Sequence, residues 1–104
     1  MTNLFKLAYK AAEKSTHSKH HLAAVIVKGG SILSVAHNLQ SWNSCAERRA
    51  IRKHMDYRGS TILVVRSNKG ISKPCAKCRL AIIKAGIKKV IYIDEDGDVV
   101  VEKI

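Results

Sequence analysis

Short segments rich in β-branched residues alternate with helix-forming segments along this chain of 104 residues. Each β-branched segment is bounded by turn-forming or polar residues, as strands usually are. We predict strands at residues 22–27, 32–36, 61–66, 89–93 and 99–101, and helices at residues 3–14, 45–54 and 74–85. Between residues 32 and 93 strand and helix alternate, and this order predicts a mixed α/β fold with a parallel core to the sheet.

Two turn signals predict how the outer strands pair. Gly29 and Gly30 join the first two strands and supply the positive φ of a tight hairpin turn, so these strands should be antiparallel. Residues 94–98 (DEDGD) are too few for a crossover helix, so the last two strands should also be antiparallel. The length is typical of one domain, which we expect to span residues 1–104.

Composition indicates the environment of the chain and the charge of its partners. The longest apolar run, residues 22–27, has six residues where a membrane helix needs about twenty, and residues 1–15 lack the apolar core of a secretion signal. Three cysteines without such a signal favour reduced thiols in the cytoplasm. Nineteen Lys and Arg against eight Asp and Glu give a net charge of +11, which predicts anionic partners such as nucleotides, nucleic acid or an anionic membrane surface.

The three cysteines fall at two predicted helix starts. Cys45 opens the second helix, whereas Cys75 and Cys78 lie three residues apart in the first turn of the third. Helix starts that follow strands gather at one edge of an α/β sheet, so the three thiols can converge there. Three thiolates favour zinc and leave a fourth position for water. Glu47 points away from Cys45 on the helix, which suits a proton carrier at the pocket border better than a ligand.

Cys45-Ala46-Glu47, followed by Pro74-Cys75-Ala76-Lys77-Cys78, resembles the zinc-site pattern of the cytidine deaminase superfamily. Residues 45–51 and 74–79 look like the three-cysteine cytidine deaminases. Residues 22–38 and 85–92 look more like the deoxycytidylate and tRNA adenosine deaminases and the compact deaminases of phages and other viruses. The resemblance implies a three-layer α/β/α cytidine deaminase-like fold, with a five-stranded mixed sheet and about three helices.

The resemblance also implies the residues that carry the chemistry. Cys45, Cys75 and Cys78 would ligate zinc, and Glu47 would shuttle protons. Arg48 matches a family position that hydrogen-bonds the zinc thiolates. The implied reaction is hydrolytic: zinc activates water, hydroxide attacks C4 of a cytosine ring, and Glu47 delivers protons to N3 and to the departing ammonia, leaving the uracil compound.

The predicted substrate-binding residues are Asn38, Ala46 and Trp42. Asn38 would hydrogen-bond the sugar, by resemblance, and Trp42 is placed to stack on a base. Free cytidine deaminases carry Asn-x-Glu for the ribose hydroxyls, whereas this chain has Asn38-Leu39-Gln40 and lacks the charged contact. This departure argues against cytidine as the natural substrate, and the basic charge of the chain favours a phosphorylated pyrimidine. The resemblance also implies a homodimer or homotetramer.

Two other functions stay open. A polynucleotide deaminase acting on single-stranded DNA or RNA would use the same zinc pocket with a basic channel. A non-catalytic zinc module that binds nucleic acid would need a fourth ligand, from His17, His20, His21, His37 or His54, and would leave Glu47 as a surface carboxylate. The basic residues of the second and third helices fit a solvated face, phosphate recognition or nucleic-acid binding.

Overall fold

The computed structural model describes residues 2–13, 21–38, 46–51, 56–66 and 72–104, which form three helices and five strands. In chain order these are α1 (Thr2–Glu13), β1 (Leu22–Lys28), β2 (Ser31–His37), α2 (Ala46–Ala50), β3 (Thr61–Arg66), α3 (Ala76–Lys84), β4 (Lys89–Ile93) and β5 (Val99–Lys103). Every predicted strand and helix is therefore present, with β3 and β4 at the predicted bounds.

The five strands form one mixed sheet in the order β2-β1-β3-β4-β5. Strand β1 runs antiparallel to both β2 and β3, β3 and β4 are parallel, and β4 and β5 are antiparallel. The mixed sheet and both antiparallel end pairs are confirmed. The parallel part of the sheet contains fewer strands than predicted. Because β1 lies between β2 and β3, these two strands do not pair, and β3–β4 is the one parallel pair in the described sheet.

The burial of β1 explains why it lies inside the sheet, between β2 and β3. Residues Ala23, Ala24, Val25 and Ile26 are all fully buried, whereas β2 is partly exposed along most of its length. A strand that is apolar on both faces loses most from solvent contact and gains most from neighbours on both sides. The hairpin turn at Gly29 (φ 56°) and Gly30 (φ 83°) folds β2 back onto one side of β1. The other side is then available to β3.

Helices cover both faces of the sheet and make three layers. On one face, Ala8, Ala11 and Ala12 of α1 pack with Val25 and Leu63. On the other face, residues of α2 and α3 pack with the alternate positions of the same strands, including Ala46, Ala50, Ile82, Ile62 and Val90. The three-layer α/β/α fold is thus confirmed. None of the helices in the described part of the chain has the length and apolar character needed to cross a membrane. The cytoplasmic location stays a prediction.

Helix α2 ends earlier than the sequence predicts. The prediction ran from residue 45 to 54, whereas the described helix ends at Ala50 and residues 52–55 lie outside the described part of the chain. The buried hydroxyl of Tyr57 donates a hydrogen bond of 3.1 Å to the carbonyl oxygen of Ala50. A side chain seven residues further along the chain therefore reaches the carbonyl at the end of α2, a contact that helix propensity does not report.

Helix α3 is bounded by a proline and a glycine, as predicted, but begins two residues after the proline. Cys75 is the N-cap, with φ −72° and ψ 170°, and Pro74 precedes it. At the other end Gly86 has φ 81°, and its amide donates to the carbonyl of Ile83. A Cβ at Gly86 would lie 2.6 Å from Cγ of Arg58, so both the conformation and the contact require glycine there.

An ion pair joins α3 to the edge strand β5. Arg79 donates to Oε2 of Glu102 at 2.8 Å, and the hydroxyl of Tyr92 donates to the same oxygen at 3.1 Å. The hydrogen bond from Arg79 is the main cause that holds the pKa of the Glu102 carboxyl below its ordinary value of 4.5. The ionised carboxylate is thus favoured in the folded chain.

We predict that Glu102→Gln reduces the loss of thermal stability in acid. Because the pKa of Glu102 is lower in the folded than in the unfolded chain, its stabilising effect is complete above about pH 4.5 and is lost as the pH falls below that value. Melting temperatures measured from pH 7 to pH 3 should therefore fall more steeply for wild type than for Glu102→Gln. Glu95→Gln, on the exposed β4–β5 turn, is the control and should follow wild type; equal slopes for all three proteins would refute the prediction.

Candidate active site

One end of the sheet holds a cavity of about 170 Å³. It lies where β1 begins and where β2 and β3 end, since Leu22 pairs with Arg66 and Ala23 with His37. The described residues that line it are Leu22, Asn38, Ala46, Ser72, Lys73, Cys75 and Cys78. Segments far apart in the sequence therefore meet at the edge where helix starts were expected to gather.

Two of the three cysteines line this cavity together. Cys75 is the exposed N-cap of α3, and Cys78 is buried in the first turn of the same helix. Ala46, the first residue of α2, lines the same cavity from the second helix. Cys45 lies outside the described residues, but its neighbour Ala46 brings the second helix start to the wall that carries the two thiols.

Asn38 is buried in the cavity wall and closes the β1–β2 hairpin. Its Oδ1 accepts a hydrogen bond of 2.9 Å from the backbone amide of Leu22. The backbone amide of Asn38 donates to the carbonyl oxygen of Leu22 at 3.0 Å. The first bond fixes the side chain of Asn38 against the start of β1, and the second fixes its backbone there. Nδ2 is the proton donor of this side chain, so a hydrogen bond to a sugar oxygen would be donated from there.

Arg49 connects α2 to the strand that carries Asn38. Its guanidinium donates a hydrogen bond to the carbonyl oxygen of His37, the last residue of β2. Glu47 and Arg48 lie in α2 between Ala46 and this contact. Their predicted roles, proton shuttle and hydrogen-bond donor to the thiolates, stay predictions. Trp42, the predicted stacking residue, lies outside the described part of the chain.

Ser72 is a site residue that the sequence analysis missed. Its buried hydroxyl donates to the carbonyl of Val64 at 2.7 Å and accepts from the amide of Ile93 at 2.8 Å, while its own amide donates to the carbonyl of Ile93 at 2.9 Å. Ser72 thus fills the space between β3 and β4 beyond their last paired residues, Leu63 and Ile91. No local pattern marks a serine for this position, because its partners are eight and twenty-one residues away.

Lys73 is the one charged residue among the described residues that line the cavity. Its side chain is exposed, and no carboxylate of the described chain lies within ion-pair distance of it. Lys73 influences the carboxylate of Glu102 electrostatically, but that carboxylate is paired with Arg79. An unpaired ammonium group at a cavity mouth attracts anions. Nothing in the sequence distinguishes Lys73, since it is one of nineteen basic residues.

The histidines bear on the alternative of a structural zinc site. Of the five, His21 and His37 are in the described part of the chain, and neither lines the cavity. Nδ1 of His37 lies 3.2 Å from the carbonyl oxygen of Asn38, its own neighbour in the chain. The described histidines therefore give no support to a histidine as the fourth zinc ligand beside the three cysteines.

The sequence model of the cytidine and deoxycytidylate deaminase zinc-binding region matches residues 1–94. The chain belongs to this family. The cytidine deaminase superfamily expected from the cysteine pattern is thereby confirmed. A search of functionally curated proteins gives no significant match.

Solved structures of this family share the fold. The apo dCMP deaminase of cyanophage S-TIM5 is 26% identical over 92% of this chain and 84% of its own, with a TM-score of 0.74. Cytidine deaminase from Burkholderia pseudomallei is 26% identical over 98% of this chain and 91% of its own, with a TM-score of 0.75. The chain also covers 27% of the diaminohydroxyphosphoribosylaminopyrimidine deaminase/reductase from Thermotoga maritima, at 30% identity and a TM-score of 0.67.

Zinc is the cofactor of this family region, and the donor chemistry of the cavity fits it. Thiols are the ligands that zinc prefers in a tetrahedral site, and Cys75 and Cys78 present two of them to one cavity. No described carboxylate or imidazole lines the cavity to compete with them. The site therefore has the thiol-rich character predicted from the sequence.

We predict that Ser72→Ala destabilises the fold by about 1–3 kcal/mol, the usual cost of leaving buried hydrogen-bonding groups without a partner. The substitution removes the hydroxyl from both the Val64 carbonyl and the Ile93 amide. Urea denaturation of the zinc-loaded protein measures the loss.

Ser34→Ala is the matched control for this prediction. Ser34 is also buried, but its Oγ has no hydrogen-bond partner among the described residues, so removing it should be neutral or stabilising. If both alanine variants lose the same stability, the Ser72 hydrogen bonds do not hold the two strands.

Proposed function

We propose that this protein is a zinc-dependent hydrolytic deaminase that converts a cytosine nucleoside or nucleotide to the uracil form. The observation that carries the proposal is the cavity that unites Cys75 and Cys78 with Asn38 and with the start of α2, in a chain of the cytidine and deoxycytidylate deaminase family. Metal ligands and a sugar-binding side chain then face one small volume, as an enzyme acting on a nucleoside requires.

Cys45, Cys75 and Cys78 are the proposed zinc ligands. Zinc, when bound, supplies the Lewis acidity that lowers the pKa of water toward 7. The start of α3 lies at the thiols, and its amide dipoles favour negative charge there. Arg48 is the proposed side-chain donor to the thiolates, and its positive charge would further offset theirs.

Glu47 is the proposed proton carrier. Its carboxylate takes a proton from the attacking water and delivers it to N3 of the cytosine ring. A second proton passes through the same carboxylate to the departing amino group, so that water and the cytosine compound yield ammonia and the uracil compound. Glu47 follows directly after Ala46 in α2, which places its backbone beside the cavity wall.

Substrate recognition is assigned to the remaining wall. Asn38 is the proposed sugar-binding residue, and any hydrogen bond that its side chain donates to the sugar would come from Nδ2. Ala46 lines the cavity, and Trp42 is the proposed stacking residue. Lys73 supplies a cation for a substrate phosphate. The two neighbours at 26% identity are a dCMP deaminase and a cytidine deaminase, and the compounds in their names differ in that phosphate and in the 2′-hydroxyl. The unpaired Lys73 favours the phosphorylated class for this chain.

We predict that Glu47→Gln abolishes deamination while the zinc content stays at the wild-type level. The amide retains the shape of the side chain but cannot carry a proton. Purified zinc-loaded proteins would be incubated with cytidine, deoxycytidine, dCMP, dCTP, adenosine and a cytosine-containing single-stranded oligonucleotide, with product quantified by mass and zinc by elemental analysis.

Each outcome of this panel has a definite meaning. Turnover of a cytosine nucleoside or nucleotide that depends on Glu47 supports the proposal, with Glu95→Gln as the control that should retain full activity. Turnover confined to adenosine would contradict it. Turnover confined to the oligonucleotide would replace it with a polynucleotide deaminase. Bound zinc without turnover of any substrate would favour the non-catalytic module.

We predict that Lys73→Gln lowers kcat/KM for phosphorylated substrates about tenfold or more and leaves the value for the matching nucleoside within about twofold. The ion pair between the Lys73 ammonium and a substrate phosphate, partly removed from water at the cavity, is worth about 1–2 kcal/mol. A difference of about 1.4 kcal/mol corresponds to a factor of ten. Lys73→Arg should restore most of the loss. Lys6→Gln, on the exposed surface of α1, removes the same charge elsewhere and should change neither substrate. An equal loss for dCMP and deoxycytidine would exclude phosphate recognition by Lys73.

A further inference from the structure

The end of the sheet farthest from the cavity carries a group of cationic side chains that the deaminase reaction does not use. We call it the distal basic end and define it by six residues: Lys28, Arg58, Lys84, Lys88, Lys89 and Lys103. All are exposed except Lys89, which is half-buried. They come from five separate segments of the chain, so their proximity is a product of the fold.

Backbone pairing brings these segments together. In the sheet Thr61 pairs with both Val27 and Lys89, and Lys89 pairs in turn with Lys103. The amide of Gly59 donates to the carbonyl of Gly86 at 2.9 Å, which places Arg58 beside the end of α3. The cations therefore surround the distal end of the sheet. Lys89 and Lys103 share a face with Val27, whereas Lys28, the next residue of β1, lies on the other face, and β3 contributes no cation at this end. The three strand spacings from β1 to β5, of about 4.8 Å each, make this end about 14 Å wide.

The charge of the distal basic end is poorly compensated. Asp56 is the one side-chain carboxylate described there, and it is paired with Arg58 at 3.1 Å. The hydrogen bonds from Arg58 hold the pKa of Asp56 at about 2, so this pair persists at neutral pH. Lys28 also acts electrostatically on Asp56, but none of the five lysines lies within ion-pair distance of a carboxylate among the described residues.

One contact in this group is unfavourable in the isolated chain. Lys89 and Lys103 are directly opposite each other on antiparallel strands, which puts their side chains on the same face of the sheet about 5 Å apart at Cβ. Like charges in this position destabilise a sheet. A bound anion would convert this repulsion into attraction toward a shared partner.

The distal basic end is also remote from the cavity. Thr61 begins β3 at the distal end, whereas Arg66 ends β3 beside the cavity residue Leu22. Five residue steps of about 3.3 Å separate the two ends by about 17 Å. An anion held among the distal lysines is thus too far away to be the nucleotide whose ring occupies the cavity.

We propose that the distal basic end binds the phosphate backbone of a nucleic acid as a second site, separate from the catalytic cavity. One phosphate cannot contact cations spread over an end about 14 Å wide, whereas successive phosphates of one strand can. A strand bound there is held away from the cavity, so the contact tethers the protein to nucleic acid without presenting a base for deamination. The proposal does not rest on the proposed function.

The test measures binding of a fluorescent twenty-nucleotide oligo-dT by fluorescence anisotropy between 50 and 200 mM salt, with the zinc-loaded protein. Thymine has no exocyclic amino group, so this probe cannot be a deamination substrate. For the double variant Lys89→Gln/Lys103→Gln we expect the slope of log K against log salt to shrink by about 1.4, since each phosphate contact of a single strand contributes about 0.7. Deamination of a mononucleotide should not change.

The matched control is Lys6→Gln/Lys10→Gln, which removes the same charge from exposed positions of α1. It should leave the slope within about 0.3 of wild type. Equal losses in both double variants would show that the net charge alone attracts the probe and would overturn the proposal. Displacement of the probe by excess dCMP would also overturn the proposal. The same holds if Lys89→Gln/Lys103→Gln binds vesicles of anionic lipid more weakly than wild type but binds oligo-dT equally well.

A thermal measurement tests the repulsion independently. Without oligo-dT, Lys89→Gln/Lys103→Gln should melt at a higher temperature than wild type, because the cross-strand repulsion is removed. Saturating oligo-dT should raise the melting temperature of wild type more than that of the double variant. The opposite order in either comparison would contradict the proposal, even if the variant binds zinc normally.

Discussion

The cavity depends on the way β3 and β4 separate. The two strands pair from Thr61 to Leu63 and then stop, and beyond that point the Val64 carbonyl and the Ile93 amide each bond to Ser72 instead of to each other. Parallel strands that parted without such a partner would leave buried polar groups unsatisfied, at a cost of about 1–3 kcal/mol each. Ser72 removes that cost and holds the chain at the cavity edge three residues before Cys75.

Helix α3 is fixed at its beginning, middle and end by contacts of different kinds. Ser72 anchors the segment that leads to its N-cap, and the ion pair of Arg79 with Glu102 joins its first turns to β5. At the other end Gly86 packs against Arg58. The positions of Cys75 and Cys78 therefore follow from packing over the whole helix. If Cys75 and Cys78 ligate zinc as proposed, a pair held in this way loses little conformational entropy on binding the metal.

The sequence was informative wherever local chemistry decides structure. β-branched runs predicted all five strands, the glycine pair predicted the β1–β2 hairpin, and the cysteine pattern predicted the fold and family. It could not predict the insertion of β1 between β2 and β3, which depends on competition among strands for buried positions. Nor could it predict Ser72 or Lys73 in the cavity wall, because nothing local distinguishes them from other polar residues in loops.

The sequence gives the basic charge only as a total for the chain, whereas the fold places cations in two separate regions, the cavity and the distal basic end. At the cavity the described lining carries a single cation, Lys73, which suits one phosphate on a small substrate. At the distal basic end five lysines lie together without carboxylate partners, and two of them face each other across β4 and β5. Counterions in solution screen such a group over about 8–10 Å at physiological salt, less than the length of β3. The two regions are therefore electrostatically independent, and the charge needed for one does not account for the other.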